Sequence, residues 1–145
     1  MPAKIVSFFH HSVVSGAIAL GTAFDVNKKH THDLRAGATP GVAGQRFRER
    51  VEGIHIRLSA VGSATKVTVK VTLDALGDDI VLPDTEATIA TGVSTATKGA
   101  VAYSVKLPLY QSSAGEVGKL YVFVKADSAT GSPAVDQTTV TWTET

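Results

Sequence analysis

The residues with the clearest chemical potential are His30-Thr31-His32-Asp33. On a strand His30 and His32 would share a face. They could bind one ion there, with Asp33 or the His10-His11 pair completing the set. Zinc requires three or four such ligands to converge. The run follows Asn27-Lys28-Lys29 and has the composition of a polar loop with solvated side chains. No metal centre or cofactor is therefore expected. His10 and His11 are weaker ligands as a pair, since adjacent strand residues face apart. Asp78-Asp79 with Asp84 and Glu86 could hold Ca²⁺ between loops. They lack the spacing of a calcium-binding loop, and Asp is common in turns because it accepts backbone hydrogen bonds.

The densest charged feature is Arg46-Phe47-Arg48-Glu49-Arg50. On a strand Arg46, Arg48 and Arg50 project from one face as a basic ridge. The ridge is either a solvated face or a docking surface for acidic groups, because guanidinium forks pair bidentately with carboxylates. Arg35 and the apolar Phe8 and Phe9 join Arg46, Arg48 and Arg50 as the candidate partner-docking residues. Nucleic acid is disfavoured by a net charge of +1 and by the lack of interleaved aromatic residues.

Signatures of catalysis are missing. The chain has no Cys, no GxSxG, HExxH or P-loop pattern, and no recognisable Ser/His/Asp arrangement. A glycosidase would need opposed carboxylates and aromatic platforms for sugar. The single Trp, Trp142, faces the core by its phase, which leaves Tyr110 and Tyr121 as possible platforms. The expectation is a protein that is not an enzyme.

The elements that must position these residues are strands. Ile54, Ile56 and Leu58 alternate with polar residues, as do Val67, Val69, Val71 and Leu73. Val101, Tyr103, Val105, Leu107 and Leu109 follow the same period, as do Thr138, Val140 and Trp142. A period of two gives each strand one core face and one wet face. Leu120-Tyr121-Val122-Phe123-Val124 is apolar on both faces and is expected in the middle of a sheet. Phe47, Val51, Ile54 and Leu58 also fit helical spacing, but Gly53 sits where the phase slips, and a β-bulge there accounts for the slip. Gly62-Ser63 reads as a hairpin turn. Gly77-Asp78-Asp79, Pro83-Asp84, Lys98-Gly99, Ser113-Ala114-Gly115 and Thr130-Gly131-Ser132-Pro133 read as further turns. The result is an antiparallel, all-β sandwich of about seven or eight strands.

Residues 1–45 look different. They hold apolar patches, a polar cluster and the Gly- and Pro-rich run of residues 36–44. They are expected to form an irregular N-terminal arm, with residues 46–145 as the sandwich domain. The run Lys4 to Phe9 is expected to be a strand or arm and not a signal peptide, and no stretch reaches the roughly 20 residues of a membrane span. Residues 1–60 carry eight Lys/Arg against four Asp/Glu, and residues 61–145 carry six against nine. All five Arg and all five His precede residue 58. Charged residues make up 19% of the chain and hydrophobic ones 43%, which is lean in charge for a free monomer and suggests surface covered by other chains.

The sequence resembles jelly-roll capsid decoration (cement) proteins of tailed bacteriophages. The resemblance is carried by Val-Glu-Gly-Ile-His-Ile-Arg-Leu (51–58), Asp-Asp-Ile-Val-Leu-Pro-Asp (78–84), Gly-Lys-Leu-Tyr-Val-Phe-Val-Lys (118–125) and Thr-Val-Thr-Trp (139–142). It implies a two-sheet jelly roll made in the host cytoplasm. It also implies a dimer or trimer on the outer surface of the capsid that bridges subunits of the major capsid protein lattice. The alternatives are a head-fibre or tail component, or a carbohydrate- or ligand-binding β-sandwich module.

Overall fold

The alternating rows become strands whose apolar faces meet. The computed structural model describes residues 9–34, 49–89, 99–103, 107–108 and 119–144. Nine strands occur among them: β1 (Phe9–Ala19), β2 (Lys29–Asp33), β3 (Glu49–Ala60), β4 (Lys66–Thr72), β5 (Ile80–Thr88), β6 (Gly99–Tyr103), β7 (Leu107–Pro108), β8 (Lys119–Ala126) and β9 (Ala134–Glu144). One sheet has the order β1-β9-β3-β6, with β7 also on β3, and the other β2-β8-β4-β5. Every pairing is antiparallel. The pairs are nested: first strand with last, β2 with β8, β3 with β6, β4 with β5. The chain is in effect one long antiparallel hairpin wound on itself into two facing sheets, which is the jelly roll. Among the described residues no helix is long and apolar enough to cross a membrane.

The inner faces bring together Val51, Ile54, Ile56 and Leu58 of β3, Val67, Val69 and Val71 of β4, Leu120, Val122 and Val124 of β8, and Val135, Val140 and Trp142 of β9. Burying each such side chain contributes about 1.5–3 kcal/mol. The phase slip in β3 is a bulge: Val51 faces Trp142 while Gly53 faces Thr141, so two residues of β3 stand against one step of β9. A helix over this segment is thereby ruled out. A second bulge sits in β9, where Arg57 faces Gln137 and Leu58 faces Val135, with Asp136 between.

β8 lies between β2 and β4, as its two apolar faces require. Its outer row, Tyr121 and Phe123, is as buried as its inner row. Loops cover Phe123. Gly77 adopts a φ of +87° directly above it, where an added Cβ would come within 3.3 Å of the ring.

Three expectations change. Residues 9–34 are not an irregular arm: they supply one edge strand to each sheet, so the sandwich begins well before residue 46. Gly62-Ser63 is not a hairpin, because β3 and β4 lie in different sheets. It is the corner that carries the chain across, bonded by Ser63 N–H to the Thr130 carbonyl at 2.9 Å. Turn residues encode a reversal of direction and do not say which strand receives the next one. Pro83-Asp84 is not a turn but part of β5. β5 is an edge strand, where a missing N–H is tolerated. The strand expected over residues 101–109 contributes β6 and β7, both against β3. The turn expected at Ser113-Ala114-Gly115 lies outside the described residues, as does Lys98.

Candidate functional site

Strand alternation turns His30 and His32 inward from β2. At this end of the sandwich they meet Ser12 and Gly16 of β1 and Thr138 of β9. His30 is 5% exposed, and His32 and Thr138 are wholly buried. The expectation of solvated histidines is therefore overturned. Extended backbone at Lys29–Asp33, held on β8 with His30 opposite Val122 and His32 opposite Leu120, leaves the two rings nowhere to point but the interior.

Buried polar groups need partners, and each ring nitrogen has one. His30 Nε2 lies 2.9 Å from the Gly16 carbonyl and its Nδ1 2.8 Å from Thr138 Oγ1. His32 Nε2 lies 2.7 Å from the same Oγ1, and its Nδ1 3.0 Å from Ser12 Oγ. Proton positions follow from the donor inventory. The Gly16 carbonyl only accepts, so His30 Nε2 carries the hydrogen. In a neutral ring Nδ1 then accepts, and it takes the hydroxyl hydrogen of Thr138. That hydroxyl has one hydrogen, so His32 Nε2 donates to Thr138 Oγ1. Finally, Ser12 donates to His32 Nδ1. The chain runs one way: Ser12 to His32 to Thr138 to His30 to Gly16.

The electrostatics agree with neutral rings. Burial pushes His32 down to about 4, helped by the neighbouring His30 and opposed by the Ser12 backbone. Burial also lowers His30, against the Gly16 carbonyl and the charge of Asp136. A hydroxyl between two imidazoles has the parts of a nucleophile and its base. Here, however, it is sealed from any substrate. What the cluster can do is join the edge strands of the two sheets. Among the described residues no three His, Asp or Glu side chains are grouped to hold a metal ion.

The other candidates are dispersed. His10 stacks on Trp142 with centroids 4.3 Å apart, and His11 Nδ1 bonds Thr141 Oγ1 at 3.0 Å. Asp78 and Asp79 do not form a calcium cradle with Asp84 and Glu86. Their backbone N–H groups donate to the carboxylate of Asp74, which closes the loop. Burial raises the Asp74 carboxyl, and the N–H groups of Asp79 and Asp78 outweigh that and hold it below the usual range. Tyr121, a possible sugar platform, is 3% exposed. Tyr110 lies outside the described residues, as do Phe8, Arg35, Arg46 and Arg48. Arg50 is placed in β3 opposite Thr143 and Pro108, and Phe9 opens β1 opposite Thr143. Arg57, the remaining arginine, forks onto Asp136 at 2.8 and 3.2 Å on the outer face.

A feature that patterns along the chain did not reveal lies on the outer face of the other sheet. Lys29, Phe123 and Lys70 form one rung across β2, β8 and β4. Lys70 Nζ stands 5.0 Å from the Phe123 ring and 4.9 Å from the Phe24 ring, and Lys125 Nζ 4.7 Å from the latter. These cation–π contacts hold the loop of residues 21–28 over the sheet. Lysines so far apart in sequence give no local signal.

No protein-family model matches the chain, and no curated protein matches it. Among solved structures it is similar to the coat protein dimer of Tobacco streak virus (TM-score 0.45, 9% identity, 99% of this chain and 89% of that one). It is also similar to a chain of the crystal structure of Tomato aspermy virus (0.38, 11%, 100% and 81%). A third similarity is to a family two carbohydrate esterase from Cellvibrio japonicus (0.38, 12%, 97% of this chain and 35% of that one). None of these likenesses says what this chain binds.

Proposed function

We propose that this chain is a virion structural protein that decorates the outer surface of a tailed-phage capsid and bridges major capsid protein subunits, acting by packing and not by chemistry. The observation that carries the reading is the closed state of its titratable interior. His30, His32, Thr138 and Ser12 are spent on one another inside a jelly roll, so their role is cohesion. The resemblance of residues 51–58, 78–84, 118–125 and 139–142 to decoration proteins supports it, as does a composition lean in charge for a solitary chain. Synthesis in the host cytoplasm and assembly as a small homo-oligomer belong to the same reading. The docking residues proposed are Arg35, Arg46, Arg48 and Arg50, whose guanidinium forks suit carboxylates on a capsid subunit, together with the apolar Phe8 and Phe9.

Purified chain mixed with phage heads lacking decoration should co-sediment with them, and an Arg46→Ala/Arg48→Ala/Arg50→Ala variant should bind several-fold more weakly. A chain that stays in the supernatant at every head concentration would overturn the proposal. Binding that ignores the three substitutions would remove the basic ridge from it.

A further inference from the structure

Among the described residues the jelly roll leaves four sheet edges, and three are protected by familiar devices. β2 is only five residues long and carries Lys29 and Asp33, and β6 spans five residues among those described. β5 carries Pro83, Asp84 and Glu86. β1 is the exception. It is 11 residues long and contains no Lys, Arg, Asp, Glu or Pro. Its only irregularity is the slip between Ser15 and Ile18, where His30 takes the Gly16 carbonyl. Over residues 9–15 it pairs with β9 in unbroken register, and among the described residues no strand pairs with its other side. The outward row here is His11, Val13 and Ser15, and Val13 is 55% exposed.

From this edge we infer that a second copy of the chain docks on β1, its own β1 running antiparallel over residues 9–15 so that one sheet continues through both molecules. An exposed edge offers its free N–H and C=O groups to any strand. The composition selects among strands. A two-fold axis sets a segment against itself, and any Lys, Arg, Asp or Glu near that axis would face its own copy at a repulsive distance. β1 has none, so it is self-compatible, and it offers no charge to attract a different partner. The inference names the contact of the oligomer within the proposed function, yet it stands on the strand alone. Its test uses the chain without capsids, so failure of capsid binding and failure of this pairing are separate results.

Sedimentation equilibrium at pH 8 should give twice the 15.1-kDa mass of the chain at high concentration, dissociating on dilution. Paired in this way residue 11 faces residue 13 of the copy, so the double variant His11→Lys/Val13→Lys sets like charges directly opposite on both sides of the axis and should raise the dissociation constant about tenfold or more, with unchanged far-ultraviolet circular dichroism. Should a variant lose its β-sheet signal, hydrogen exchange of the wild type decides instead. In that case, the edge amides of residues 9–15 should be protected at high concentration and exchange faster on dilution. A monomer at all concentrations, a three-chain species, a dimer indifferent to both lysines, or edge amides insensitive to dilution would each overturn the inference.

Discussion

Replacing Thr138 by valine removes one hydroxyl and keeps the shape of the side chain, at a position with no exposure. That hydroxyl serves both imidazoles, at 2.8 and 2.7 Å. Without it His30 keeps its bond to Gly16, and its Nδ1 lone pair faces a methyl group. His32 can shift its hydrogen to Nδ1 and donate to Ser12, which orphans its Nε2 instead. No tautomer satisfies all four nitrogens. An unpaired buried polar group costs roughly 1–3 kcal/mol, so two orphans, less the small gain from burying a methyl, give about 3 kcal/mol. A domain of this size has only about 5–15 kcal/mol to lose. Urea unfolding at pH 7.5 should show this as a midpoint lowered by roughly 1–3 M. Thr138→Ser keeps the hydroxyl and drops the methyl, and should cost about 1 kcal/mol. If valine were tolerated within about 0.5 kcal/mol, or if serine were as harmful as valine, the hydroxyl would not be what holds the pair and the reasoning would fail.

Stability should fall on acidification, since His32 titrates at about 4 when folded and near its ordinary 6.5 when unfolded. The unfolded chain therefore binds the extra proton first. The stabilising difference is whole above 6.5 and is lost as pH drops toward 4, a change of about 3 kcal/mol that His32→Gln should flatten in urea titrations. Long-range ¹H–¹⁵N spectra should show both His30 and His32 as Nε2–H tautomers, and an Nδ1–H form of either would break the chain of donors. Gly62→Ala should cost more than about 1 kcal/mol in thermal unfolding, because φ is +58° and the new Cβ would collide with the Thr130 carbonyl. Gly21→Ala, with its nearest neighbour at 3.9 Å, should be close to neutral. A double-mutant cycle on Arg57 and Asp136, both partly exposed, should give a coupling of about 1 kcal/mol or less.

What the sequence determined by itself is whatever depends on neighbours along the chain. The period of two placed Ile54, Ile56, Leu58, Val67, Val69, Val71, Val140 and Trp142 in the core, and they are there. The doubly apolar run at Leu120–Val124 required a central strand, and Gly53 marked a bulge. These readings hold because strand geometry ties a side chain's face to its parity. Tertiary structure decided what parity cannot encode. Gly62 could turn the chain, but only the packing of the Thr130–Gly131 loop against it sends β4 to the other sheet. His30 and His32 were visible as a same-face pair, and their composition pointed to solvent. Their burial depends on Ser12, Gly16 and Thr138, which lie up to 108 residues away. A lone buried imidazole is costly, and one with both nitrogens bonded is not. Whether those histidines were ligands, solvated side chains or a clasp between sheets was settled by long-range pairing of the first strand with the last.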